Sequence, residues 1–142
     1  MKLPNVNFTQ AQRLKSAGFD WWTSDFYYKP IVARPPPEGL SFGEVKIGKI
    51  DDPLCLWSGP PMVIEAYAPT VALALKWLRD VKGILSCVDY SEFRDDENSE
   101  YDISFDWSCG EIKSETFYAT YEEAESALLD AALAEVLKGG AK

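Results

Sequence analysis

Carboxylates are the residues of this chain best placed to do chemistry. Within residues 89–130, fourteen Asp and Glu stand against two basic residues. The densest group is Asp95, Asp96, Glu97 and Glu100 in the run RDDENSE, followed by Asp102 and Asp106 on polar positions of YDISFDWSC. Hard oxygens of this kind coordinate divalent cations. The run lacks the glycine turn and terminal glutamate of an EF-hand loop, so a solvated turn is the expected form, and Asp51 and Asp52 read the same way. A facing pair could also act as general acid and base, but that role is set by separation in space, and nothing singles out a pair. The direct consequence of so many carboxylates is a field: one side of the folded chain should be strongly negative, repelling phosphate backbones and attracting a basic protein surface.

A second candidate is the aromatic group Trp21, Trp22, Phe26, Tyr27 and Tyr28, broken by Thr23, Ser24 and Asp25. Aromatic faces stack on bases and line small-molecule sites. Two aromatic runs around a short polar break also make the core of a hairpin. A strand alternates faces, so neighbouring aromatics cannot all point inward. The prolines of ARPPPE follow an arginine, as in ligands of SH3-type domains, and equally make a stiff loop.

Cys55, Cys87 and Cys109 are odd in number and form no CxxC pair. Neither a disulfide framework nor a structural zinc site is expected, and the thiols read as reduced. Histidine, the commonest general base and metal ligand, is absent. With no histidine to activate a thiol and no acid pair singled out, a non-enzymatic role is the expectation. No cofactor or metal is implied.

The elements that must position these groups are set by caps and spacing. A chain of 142 residues suits one domain. The expectation is a single α+β domain over 1–142, with a helix, aromatic hairpin and proline loop over 1–60 and a β-α-β-β-β-α core over 62–138. Net charge is −9 overall, yet residues 1–50 carry more basic than acidic side chains. The start MKLPNVNFTQ holds no signal-peptide core, and no run of about 18 apolar residues occurs, so a cytoplasmic protein without a membrane span is expected.

Phe8, Ala11, Leu14 and Ala17 predict a helix over 8–18, capped by Thr9 with Gln12 and ended by Gly18. Residues 33–41 read as a loop, 42–50 as a weak edge strand and 62–68 as a better strand. Thr70 opens a helix with the stripe Val71, Ala74, Leu75, Leu78 and Val81, stopped at Gly83. Strands come next over 84–93, 101–109 and 111–118, then a helix from Thr120, boxed with Glu123, to about Leu137. In the second strand Tyr101, Ile103, Phe105, Trp107 and Cys109 alternate with polar residues, as in a half-buried antiparallel strand. Both helices are expected on its apolar face. The α-β-β-β-α order resembles the double-stranded-RNA-binding fold. That family contacts phosphates through basic residues, whereas this stretch is acidic, so the likeness implies topology and not direct nucleic-acid binding.

The segments AGF, APTVALALKWLRDVKG and FYATYEEAESALLDAALAEVL resemble a group of small uncharacterised proteins encoded by phages, prophages and mobile elements of anaerobic gut bacteria. The resemblance implies a cytoplasmic accessory protein and carries no activity to individual residues. The shared motif is made of caps and core positions: Thr70, Trp77, Leu78, Thr120 and Glu123.

Three functional classes are consistent with these residues. The leading one is a non-enzymatic interaction protein whose acidic face, with Asp95, Asp96, Glu97, Glu100, Asp102 and Asp106, engages a basic protein of host or phage; one form of it is a nucleic-acid mimic. A second is a small-molecule or nucleotide-binding module using Trp21, Trp22, Tyr27 and Tyr28. The third is a carboxylate-dependent enzyme. An edge strand near 42–50 or 62–68 could also pair with a second copy to give a homodimer.

Overall fold

The computed structural model describes residues 3–33, 40–50, 61–94 and 101–138. Among the described residues, three helices and antiparallel sheets make an α+β architecture. The chain gathers into two compact units, residues 5–69, and residues 1–4 with 70–142.

In the first unit, helix α1 (Phe8–Ala17) begins at a capping box, but the box is Asn7 with Gln10 and not Thr9 with Gln12. Asn7 Oδ1 accepts from the Gln10 amide at 2.8 Å and Gln10 Oε1 accepts from the Asn7 amide at 3.0 Å. Both pairs have the right spacing; asparagine is the stronger N-cap, and the earlier start brings Phe8 into the helix. Gly18, at φ 96°, ends it. The Phe19 amide then donates to the Leu14 carbonyl at 2.9 Å, folding the phenylalanine back onto the helix.

Strand β1 (Asp25–Ala33) is central to the sheet of this unit. Its last three residues pair antiparallel with β2 (Leu40–Phe42), and its first four with β3 (Lys46–Lys49). Strand β4 (Met62–Tyr67) lies antiparallel along β1 from Phe26↔Tyr67 to Pro30↔Met62. The register slips by one between Tyr27 and Tyr28, so Glu65 is the extra residue of a bulge. The aromatic hairpin is therefore built differently from the sequence reading. Trp21 and Trp22 precede β1 and belong to no strand. The polar break bends the chain into β1, with Thr23 Oγ1 donating to the Asp25 carbonyl at 2.8 Å. β4, expected to open the second half, completes this first sheet instead.

The second unit starts with helix α2 (Val71–Lys82). Thr70 Oγ1 accepts from the Leu73 amide and Gly83, at φ 71°, terminates the helix, both as read from sequence. The buried stripe is turned slightly from the expected one. Val71, Ala74, Trp77 and Leu78 are inside, while Val81 is exposed. Strands β5 (Ser86–Arg94) and β6 (Tyr101–Cys109) pair without a break from Ser86↔Cys109 to Arg94↔Tyr101. Strand β7 is short (Ile112–Lys113); beyond it only the bridge Phe105↔Tyr118 continues the expected third strand. Helix α3 (Tyr121–Lys138) comes last, with Thr120 Oγ1 accepting from the Glu123 amide at 3.2 Å. α3 lies on β5 and β6, and α2 packs on α3. Both helices had been expected on the sheet; α3 contributes Leu128, Leu129, Ala132 and Leu133 to the core.

Candidate functional site

The site arises from a mismatch of lengths in the second unit. β6 alternates through nine residues, but α3 does not cover its whole apolar face. Cys109, at one end, is buried. Phe105, mid-strand, meets Tyr121 of the first turn of α3 edge-on, with ring centroids 6.0 Å apart. Towards the other end, Ile103 is 53% exposed, and Tyr90, directly opposite Phe105 on β5, is 65% exposed. Side chains opposite one another on a sheet sit roughly 5 Å apart at Cβ, so Tyr90 stands on the same sheet face as Phe105, beside the Phe105–Tyr121 pair. Tyr121 itself is exposed.

Carboxylates rim this surface. Glu92 stands opposite Ile103 and is exposed. Glu122 and Glu123, in the first turn of α3, are also exposed, and Glu122 lies close enough to raise the pKa of Tyr121 through its charge. No cation pairs with Glu92, Glu122 or Glu123 among the described residues. The connection from Arg94 to Tyr101, which carries Asp95, Asp96, Glu97 and Glu100, leaves β5 at this same end; those four residues lie outside the described set, as does the side chain of Asp102. Asp106 is half-buried on the opposite sheet face, across from Asp89, with Oδ1 inaccessible and without a hydrogen-bond partner among the described residues. It does not join the rim.

Of the predicted ligand aromatics, Trp22 is 56% exposed and Trp21 half-buried. Tyr27 packs edge-on against Phe8 at 5.3 Å and donates to the Val6 carbonyl at 2.7 Å, while Tyr28, on the other strand face, is buried beside Phe26. The structure does not bring the two tyrosines to one surface. Cys55, Asp51, Asp52 and most of ARPPPE also fall outside the described residues.

Among protein-family models, curated proteins and solved structures, none matches the chain.

Beside the aromatic surface, a groove of about 220 Å³ runs between α2, β5 and α3 and is lined by Lys76, Arg79, Cys87, Tyr121 and Glu125. Both cations are engaged with Asp80, whose carboxyl they hold below its usual range, Lys76 contributing most. Cys87 Sγ lies 3.1 Å from Ser108 Oγ and donates to Asp89 Oδ2 at 3.7 Å. Among the described residues, no group of three or more Asp, Glu or Cys is placed to hold a metal ion.

The sequence reading missed Tyr90, Glu92, Tyr121 and Glu122 as a group. Ile103 and Phe105 were placed on the correct face, but their exposure depends on where α3 sits along the sheet, which no local spacing encodes.

Titration offers a check on this packing. Partial desolvation where the Tyr121 ring meets α3 and the sheet, then a hydrogen bond to Glu125 and the charges of Glu125 and Glu122, raise Tyr121 above its usual value even though the residue is 46% exposed. Burial raises Tyr27 above the same value, and burial followed by the charge of Glu135 raises the Cys109 thiol above 9.0. For groups whose folded pKa is raised, the stability contribution is complete below the unfolded value and is lost as pH climbs through the folded one. The thermal midpoint should hold up to about pH 9 and decline above it, with Tyr121→Phe reducing the decline above about pH 10. Calorimetry across that range tests this, and a midpoint that rises there contradicts it.

Proposed function

We propose that this chain is a non-enzymatic interaction module that docks a basic segment of a partner protein on the surface formed by Tyr90, Ile103, Phe105 and Tyr121. The observation carrying this reading is an exposed aromatic centre with an unpaired acidic rim. Arg and Lys side chains gain from both parts. Their cationic heads stack on aromatic faces for about 0.5–1 kcal/mol at exposed sites, and the carboxylates draw them in over a distance that salt shortens to roughly 8 Å at physiological ionic strength. The sequence adds Asp95, Asp96, Glu97 and Glu100 to the connection between β5 and β6. A partner's nucleic-acid-binding groove meets this description, so the nucleic-acid-mimic form is retained within the proposal. The resemblance to phage and prophage accessory proteins supports a cytoplasmic setting for such a role.

The test uses the full chain and a Tyr90→Ser, Glu92→Lys, Glu122→Lys variant, three changes at exposed positions. Each is immobilised and exposed to nuclease-treated lysate at low and high salt, with retained proteins identified by mass spectrometry. Basic proteins should be held at low salt, released at high salt, and held about tenfold less by the variant. Displacement by added DNA would assign the mimic form. Equal retention by the variant, or none by either chain, ends the proposal.

A further inference from the structure

β4 pairs only with β1, so its second edge carries no strand among the described residues. Along that strand, between it and α1, runs a groove of about 340 Å³ lined by Ala11, Lys15, Phe19, Ile64, Glu65 and Tyr67. A free edge presents unpaired amides and carbonyls and is a template for another strand. Ile64 and Tyr67 are exposed on it, available as contacts for an incoming chain. One side chain already makes the contact that such a strand would make: Lys15 Nζ donates to the Glu65 carbonyl at 2.9 Å.

We propose that this groove accepts an extended peptide that adds to β4 as a further strand, carrying alternate apolar residues and one carboxylate that pairs with Lys15. Peptide binding by strand addition takes its affinity from main-chain hydrogen bonds and its specificity from alternate side-chain pockets. Here the peptide amide replaces Lys15 at the Glu65 carbonyl and frees the ammonium for the carboxylate. The charge balance sets the sign of the partner. The Glu65 carboxylate lies 3.9 Å from Lys29, which leaves Lys15 as the uncompensated charge lining the groove. A second copy of the chain fits less well, because pairing two β4 edges would set α1 beside α1 and Lys15 near Lys15. The inference is independent of the basic-partner reading, being on a different unit and requiring the opposite charge.

The probe is a phage-displayed library of random dodecapeptides panned against the full chain. The expected result is enrichment of sequences alternating apolar residues around one Asp or Glu. A synthetic peptide of the enriched sequence should bind about tenfold or more weakly to Lys15→Glu and near normally to Lys15→Arg. Lys15 is exposed, so both variants should fold, which circular dichroism verifies. Failure to enrich any alternating sequence, or a peptide indifferent to Lys15→Glu, overturns the proposal. So does a dimer in sedimentation that Ile64→Lys abolishes, since the edge would then belong to a second copy.

Discussion

Trp77→Ala should lower the free energy of unfolding by about 3–5 kcal/mol, the usual range for emptying a large aromatic site in a core. Trp77 is 1% exposed and shares the inner side of α2 with Val71, Ala74 and Leu78. Its ring also has Lys82 Nζ 5.7 Å from the centroid. That contact is minor, because Lys82 is exposed and a cation–π pair there contributes about 0.5–1 kcal/mol. The two effects separate experimentally: Lys82→Met should cost under about 1 kcal/mol, whereas Trp77→Ala should move the urea midpoint by on the order of 2 M. Far-UV circular dichroism through the transition measures both. If the two substitutions cost the same, the burial account of α2 fails.

Phe26→Ala should have an effect of similar size, about 3–5 kcal/mol, for a different reason. Phe26 is 2% exposed, and its ring lies 5.7 Å from that of Tyr28 on the same face of β1. Both rings rest over Gly48 of β3. A methyl group placed on Gly48 would fall 3.0 Å from Phe26 Cζ and 2.9 Å from Tyr28 Cε1. The space above the glycine is thus already filled by the aromatic pair, and deleting Phe26 leaves a void bordered by a residue with no side chain to move into it. Sites that cannot collapse give the larger losses. Loss of the ring–ring contact adds about 0.5–1.5 kcal/mol within that total. A cost below about 1 kcal/mol in urea would show that β3 closes onto β1, contrary to this argument.

The parts of the fold legible in the sequence are those governed by chemistry within a few residues. Gly18 and Gly83 end helices because each sits where a left-handed residue is required, and Thr70 and Thr120 begin them because a hydroxyl reaches an amide three residues on. The alternation of β6 likewise names its faces. What was not legible is long-range. Residues 62–67 read as a strand, but nothing nearby states that the strand belongs to β1 and not to the later sheet. Trp21 and Trp22 looked like a hairpin arm because aromatic content favours strands, yet β1 takes its partners from further along the chain. The candidate site suffered from the same blindness: acidity was visible, while the aromatic centre exists only because α3 stops short of Ile103.

The two sheets also impose different demands on the chain while it folds. Arg94 and Tyr101 need only six intervening residues to meet, and each further pair of the β5–β6 ladder closes from there. The nearest β1–β4 pair, Pro30 and Met62, is about thirty positions apart, so that pairing closes a much longer loop. The β5–β6 ribbon is accordingly the natural early event, and the β1–β4 seam a late one. Until that seam closes, β4 lacks the one strand partner that β1 supplies among the described residues. Pro61 before the strand and Pro69 after it limit misaligned pairing, since neither can donate to a growing ladder.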